Sequence, residues 1–307
     1  MPVTFDDSQN PGLKSNAHVV VTGATGYIGH RFVEHALERG LRVTVLGRRE
    51  LGALEKNVRF ISWSLGSPVP AETFTLDDKP AMALVHLAHQ WTSEREEPED
   101  ENLGAAATIL CAARAAGVNN IVVASTISAR QQALNRYGRV KWKIENLLQG
   151  DTEKAARIGL VYGGPRRSQW GQLCKITSLS PILPMIAPQT LVQPIHLDEL
   201  VEGLIRLAAG MGPKNQVVGL ASNDAVPFGY FLKKLRKVRQ QQSLVILPIP
   251  VPAALFLVAI VNIIPLLPTV SREKVLGLAG MPVLDTNDDL QALKLCPAAI
   301  STGLLKG

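Results

Sequence analysis

Tyr137 and Lys141 stand four residues apart in the run Tyr-Gly-Arg-Val-Lys, and a helix read over residues 137–148 puts both side chains on one face, one turn from each other. A free phenol, with a pKa near 10, is a poor acid–base group at neutral pH. An ammonium within a few ångströms favours the phenolate and lowers that pKa, which turns the pair into a proton-exchange device. A short distance upstream, residues 120–124 read as a strand that runs directly into Ser125 and Thr126. The hydroxyl of Thr126 or of Ser125 would hold a substrate oxygen beside the phenol, and the residues alone leave that choice open. Tyr-x-x-x-Lys recurs by chance, so its weight depends on the elements that carry it.

Those elements begin at residues 17–29, AHVVVTGATGYIG. The apolar run His18–Val21 reads as a buried parallel strand, Gly23, Gly26 and Gly29 as a tight turn, and residues 30–39 as a helix. Residues without a Cβ let backbone N–H groups approach a pyrophosphate at the positive helix N-terminus; the third glycine packs helix on strand. A dinucleotide site follows. Placed beside it, Tyr137 could exchange a proton with a carbinol while hydride moves to or from a nicotinamide.

The next strand, residues 41–46, ends in Gly47, Arg48 and Arg49. In such a fold this end lies beside the adenosine ribose, where an acid would bind the 2′-hydroxyl of NAD and arginine the 2′-phosphate of NADP. With no acid and two guanidiniums, NADP is favoured over NAD; solvated loop arginines are the other reading. Residues 58–63 and 83–88 read as third and fourth strands, 102–116 as a helix stopped by Gly117, and 94–101 as an acidic solvated loop. Strands alternating with helices predict an α/β fold with a Rossmann-type doubly wound parallel sheet, whose ligands bind beyond the carboxyl ends of the strands.

With these motifs in place, nearly the whole chain resembles the extended short-chain dehydrogenase/reductase superfamily, in its branch of NAD-dependent epimerase/dehydratase-like proteins. The resemblance implies that Gly23, Thr25, Gly26, Tyr27, Ile28 and Gly29, with Arg48, Arg49, Leu87, Ala88, Lys141 and Ile158, bind the cofactor. It implies that Tyr137, Lys141 and Thr126, with Ser125 beside it, are catalytic. Asn102 falls where the family opens a helix with Asn, residues 157–165 (RIGLVYGGP) match a stretch beside nicotinamide and substrate, and residues 194–200 match a segment that returns to the sheet. Two departures bear on the substrate. The loop from Thr126 to Tyr137 is about half as long as in sugar-nucleotide epimerases, and Ser64-Leu65 replaces an Asp-Leu at the adenine.

The expected organisation is a tail over residues 1–15, a Rossmann domain over 16–165 to which 189–222 returns, and a smaller C-terminal substrate lobe from 166–188 and 223–307. Arg167, Arg272 and Gln193 are candidates for the substrate, with Arg166 beside them. The expected function is an NAD(P)-dependent oxidoreductase or epimerase acting on a secondary alcohol or ketone, foremost that of a nucleotide sugar. The alternatives are a reductase of an apolar alcohol or ketone, of hydroxysteroid or dihydroflavonol type, and a non-catalytic NADP-binding scaffold.

Composition narrows the partners. The 307 residues are 46% hydrophobic, enough to bury a full core. A charge of +6 is compatible with nucleic acid, but aromatics are only 5% and basic residues are scattered outside 233–239, so no nucleic acid is expected. Cys111, Cys174 and Cys296 lack metal or disulfide spacing, so no metal is expected and a reducing cytoplasm fits. Residues 243–268 carry no charge but are cut by five prolines into an apolar run of about a dozen residues, 253–264, against the ~20 a membrane span needs. A buried helix is the main reading there. The second is peripheral membrane contact through 233–264, with the basic KKLRKVR segment meeting anionic head groups. A homodimer is a further option.

Overall fold

The computed structural model describes residues 16–90, 100–166, 168–240, 242–254, 277–278, 280–298 and 300–304. The central sheet has seven parallel strands: β1 (His18–Thr22), β2 (Arg42–Gly47), β3 (Arg59–Ser62), β4 (Ala83–His86), β5 (Asn120–Thr126), β6 (Glu153–Ile158) and β7 (Val217–Leu220), in the order β7-β6-β5-β4-β1-β2-β3. The order reverses at β1, between β2 and β4, and β1 pairs with both (Val19 with Val43 and Ala83). Ligands of open α/β sheets bind at such a switch point.

Strand alternation divides the core between the two faces of the sheet. Val19, Val21, Val45, Val85 and Val122 point to one face and meet Phe32, Val33 and Ala36 of α1 (Tyr27–Glu38). On the same face they meet Leu200, Leu204 and Ile205 of α5 (Leu197–Ala208). Val20, Leu84, Ile121 and Val123 point the other way. There they meet Ile109, Leu110 and Ala113 of α2 (Asp100–Ala115) and Val140 and Ile144 of α3 (Arg136–Glu145). Every residue of β1 is buried because helices cover both its faces, the burial that the unbroken apolar run foretells. Polar ties fix α1 against α5: Arg31 donates to Asp198 at 2.7 Å, and Arg39 and Arg206 both pair with the buried Glu202.

The remaining elements pack around their own apolar cluster, which includes Trp170, Met185, Phe231 and Leu235. α4 (Gln169–Leu179) and α6 (Phe228–Gln240) lie together, and strand Ile182–Ile186 pairs in parallel with Val245–Ile249. Part of the C-terminal segment that the sequence assigns to this lobe lies instead along the edge of the main sheet. Asp289 accepts from Gly219 N at 2.6 Å, Thr286 Oγ1 donates to Ala221 O, and Arg206 donates to the carbonyls of Leu293 and Lys294. The physical reason is that β7 is an edge strand, and an unpaired backbone row there needs a partner. Residues 255–264 of the apolar run lie outside the described residues, as do Arg167, Arg272 and most of the acidic run; Asp100 and Glu101 already belong to α2. Among the described residues, no helix is long and apolar enough to cross a membrane.

Candidate active site

A cleft of about 860 Å³ opens beyond the carboxyl ends of β1, β2, β4 and β5 and is closed on its other side by the smaller lobe. Its floor is the glycine turn. Gly23 has φ +72°, a left-handed conformation, and a Cβ there would lie 2.6 Å from Ala88 N, so the turn rests directly on the chain leaving β4. A Cβ on Gly29 would come within 2.4 Å of Gly23 O, so the helix can start only where glycine lets it touch the turn. α1 begins after Gly26 with no side-chain cap and no acid in its first turn, which leaves its N-terminal N–H groups available to an anion.

Thr25, Tyr27 and Ile28 line this floor; Leu87 and Ala88 line it from the end of β4, and Ile158 from the end of β6. Arg48 and Arg49 are exposed and border the cleft after β2, and Gly47 has open space around its Cα. These residues fit a dinucleotide laid along the strand ends, with a phosphate at α1 and a ribose near the arginines.

α3 carries Tyr137 and Lys141. Asn135 caps it, its Oδ1 accepting from Gly138 N at 2.7 Å, so the helix begins with Tyr137 already facing the cleft. Gly138 matters for a steric reason: a Cβ there would stand 2.7 Å from Ser128 O and 2.8 Å from Ala133 Cβ. The loop from β5 therefore packs onto the first turn of α3, which brings Thr126 and Tyr137 to one cleft wall despite the short connection. Lys141 is buried, donates to Ala124 O at 2.8 Å and holds Nζ 5.7 Å from the centroid of the Tyr137 ring. Burial lowers its pKa from the ordinary lysine value to about 8, against the opposing pull of Glu145. The phenol of Tyr137 moves the other way, pushed above its ordinary value by burial first and by neighbouring Tyr27 second. In the protein alone, then, burial holds the phenol above its ordinary value, the opposite direction to that expected from the spacing.

The two hydroxyls at the end of β5 part company. Ser125 Oγ donates to Glu145 Oε1 at 2.5 Å, and Glu145 is also held by Arg157 through Nε and Nη2 at 2.9 and 2.6 Å. Thr126 Oγ1 lies 3.2 Å from Ser128 Oγ and accepts from Ser128 N at 3.3 Å, and both Ser125 and Thr126 line the cleft. Gln193 does not line the cleft. Its amide is spent on Ser222 O, Leu284 O and Leu284 N, a brace between the lobe and the strand end. Gln193 is thus occupied in packing, because a buried amide must find partners. Asn102 clamps the backbone of Gln90 through both side-chain atoms, at 2.9 and 3.0 Å.

Several residues at the site were not singled out from sequence. The ring of His89 meets that of Tyr137 edge to face, centroids 5.0 Å apart, and burial holds its pKa down at about 3. His86 is likewise kept neutral by burial, at about 3, and shares a 2.8 Å hydrogen bond with Thr22. Gln169, Gln172, Val192, Phe228, Leu278 and Met281 form the wall away from the glycine turn. Asn135 was detectable as a helix-capping residue just before Tyr137; the far wall was not, because it gathers residues from four distant stretches.

Fold and cleft resemble those of NAD(P)-binding proteins of the extended short-chain dehydrogenase/reductase type. Residues 19–140 match the model of the NAD dependent epimerase/dehydratase family, an enzyme family. A curated relative, ceramide reductase from Caulobacter vibrioides, is 28% identical over 193 residues, covering 61% of this chain and 59% of that protein, so the match spans about three fifths of the relative's length. Among solved structures, MoeE5 in complex with UDP-glucose and NAD superposes with a TM-score of 0.71 at 20% identity over 94% of this chain and 97% of its own. A human epimerase family protein with NADPH gives 0.68 at 17% identity over 94% and 98%. At these identities the solved structures speak to the fold.

Proposed function

We propose that the protein is an NAD(P)-dependent reductase of a ketone carried on a largely apolar body, with NADP(H) preferred. The observation that carries this reading is the composition of the far cleft wall. Leu160, Val192, Phe228, Leu278 and Met281 line it with Gln169 and Gln172, and among the described lining residues Arg48, Arg49 and Lys141 supply the Arg and Lys charges. The arginines follow β2 at the ribose end and Lys141 sits under Tyr137, so the described part of the substrate wall offers no guanidinium or ammonium for a nucleotide-sugar diphosphate. The name of the Caulobacter vibrioides relative, ceramide reductase, supports the same substrate class.

A nicotinamide dinucleotide held along the Gly23–Gly29 turn, Leu87, Ala88 and Ile158 would supply the hydride. The chain's own residues do the rest. Tyr137, whose phenol burial keeps protonated, gives its proton to the carbonyl oxygen as hydride reaches the carbonyl carbon, leaving a secondary alcohol. Thr126 donates to that oxygen and orients it. Lys141, fixed by the Ala124 carbonyl, stabilises the phenolate that remains until solvent returns the proton. The apolar wall and the rings of Tyr27 and His89 exclude water from the reacting atoms.

The test is turnover of NADPH with a panel of long-chain ketones and, in parallel, of UDP-sugars. Tyr137→Phe should abolish ketone reduction while NADPH still binds. Epimer formation from a UDP-sugar, or equal ketone turnover in the Phe variant, would refute the reading.

A further inference from the structure

Segments 168–197 and 225–254, which include α4, α6 and the two-stranded ribbon, contain no Asp or Glu, although the chain has 26 acidic residues. Their cations are Lys175, Lys233, Lys234, Arg236, Lys237 and Arg239. Arg236 is buried and spent on the carbonyls of Thr177 and Ser180, which ties the end of α4 to α6. The lysines of α6 stay at its outer side: Tyr230, Lys233, Lys234 and Lys237 follow one another at i, i+3, i+4 and i+7, a single stripe, with Lys234 Nζ 5.4 Å from the Tyr230 ring. The opposite stripe, Phe231, Leu232 and Leu235, is buried in the lobe's core.

Beside this basic helix the lobe exposes large apolar side chains. Ile182 and Val245 are register partners in the ribbon, 48% and 53% exposed, and Leu247, paired with Pro184, is 50% exposed. Leu183, Met185 and Ile246, which alternate with them, face the lobe's core, so the ribbon is apolar on both faces and covered on one. Leu179, at the end of α4 just before the ribbon, is 73% exposed. A water-facing sheet face ordinarily carries polar residues, and a contiguous apolar patch marks an interaction surface.

We infer that this lobe docks peripherally on an anionic lipid surface, with Leu179, Ile182, Val245 and Leu247 entering the head-group region and the lysine stripe of α6 meeting lipid phosphates. Acid-free cationic segments that also expose aliphatic groups have the two components that interfacial binding needs, and their attraction to anionic lipid is screened by salt. The inference deepens the proposed function, since an apolar ketone resides in a membrane, but it does not depend on that function.

The experiment is sedimentation of the full chain with phosphatidylcholine vesicles containing or lacking phosphatidylserine, without cofactor or substrate. Binding should require phosphatidylserine and fall at high salt. Lys233→Glu/Lys237→Glu and, separately, Val245→Asp/Leu247→Asp should each reduce it by roughly tenfold or more, while circular dichroism and NADPH affinity stay as in wild type. Two results overturn the inference: no sedimentation at low salt, or sedimentation indifferent to both double variants. A concentration-dependent dimer that the Asp variant dissolves, in a protein that ignores vesicles, would assign the face to a second copy. Because no turnover is read, the failure of ketone reduction leaves docking standing, and the reverse.

Discussion

Lys141 holds Nζ 5.7 Å from the Tyr137 ring centroid while giving its hydrogen bond to the backbone oxygen of Ala124, so the pair is assembled by the end of β5 as much as by the helix. Burial brings the lysine pKa down to about 8. The sign of its effect on stability follows. Between about 8 and the ordinary value near 10.4 the unfolded chain keeps a proton that the native protein has released, so stability rises with pH there; below 8 both states are protonated and the slope vanishes. Wild type should gain up to about 1.4 kcal/mol per pH unit relative to Lys141→Met across that window. Urea midpoints from about pH 7 to about pH 10 measure it, and parallel curves would mean that Lys141 does not titrate there.

Ser125 and Thr126 should separate stability from catalysis. Removing the Ser125 hydroxyl leaves Glu145 held by Arg157, so Ser125→Ala should cost only about 1 kcal/mol of stability and leave kcat close to wild type. Thr126→Val keeps the shape and removes the donor from the cleft, and should lower kcat by roughly a hundredfold with little change in stability. The reverse pattern in steady-state kinetics and urea melts would move the substrate donor to Ser125.

How much of this was visible in the sequence can be judged residue by residue. The strand–turn–helix around Gly23, Gly26 and Gly29, and the i, i+4 relation of Tyr137 and Lys141, depend on local periodicity and appear as expected in the fold. The choice between Ser125 and Thr126 was latent there, since adjacent strand residues point to opposite faces. What the fold adds is the tie of Ser125 to Glu145, itself held by Arg157, both on other elements. Gln193 looked available because its partners Ser222 and Leu284 lie far along the chain. The burial that raises the Tyr137 pKa is likewise a tertiary quantity, and an argument from charge alone gave the opposite sign. Asp77 and Asp78, both at positive φ between the short strands Thr75–Leu76 and Lys79–Pro80, make a hairpin that the sequence reading passed over.

The glycines of α2 and α3 allow a paired test. Gly104 in α2 is exposed and a Cβ there meets nothing within 4 Å, so Gly104→Ala should stabilise by about 0.5–1 kcal/mol through backbone entropy. At Gly138 the same methyl would run into Ser128 O and Ala133 Cβ, and Gly138→Ala should cost about 1–3 kcal/mol. It should also lower kcat, because the displaced loop carries Thr126 away from Tyr137. Thermal melts of both variants decide the sign. A neutral Gly138→Ala with full activity would show that the close packing of loop on helix is dispensable.

Cofactor choice turns on Gly47, Arg48 and Arg49. The arginines are exposed at the mouth of the cleft, so each contact is partly screened, yet a 2′-phosphate brings roughly two negative charges to guanidiniums shaped to receive them. A charge-assisted hydrogen bond contributes ~1.5–3 kcal/mol, about a tenfold to hundredfold preference for NADPH over NADH. A side chain at position 47 has open space, so Gly47→Asp can be combined with Arg48→Ala without disturbing β2. The new carboxylate would repel the phosphate and accept from the ribose hydroxyl of NADH, and the preference should vanish or reverse. Titration calorimetry of both cofactors into wild type and the double variant gives the answer. Equal wild-type affinities would mean that neither arginine reaches the phosphate, and would leave the two cofactors on the same footing in this cleft.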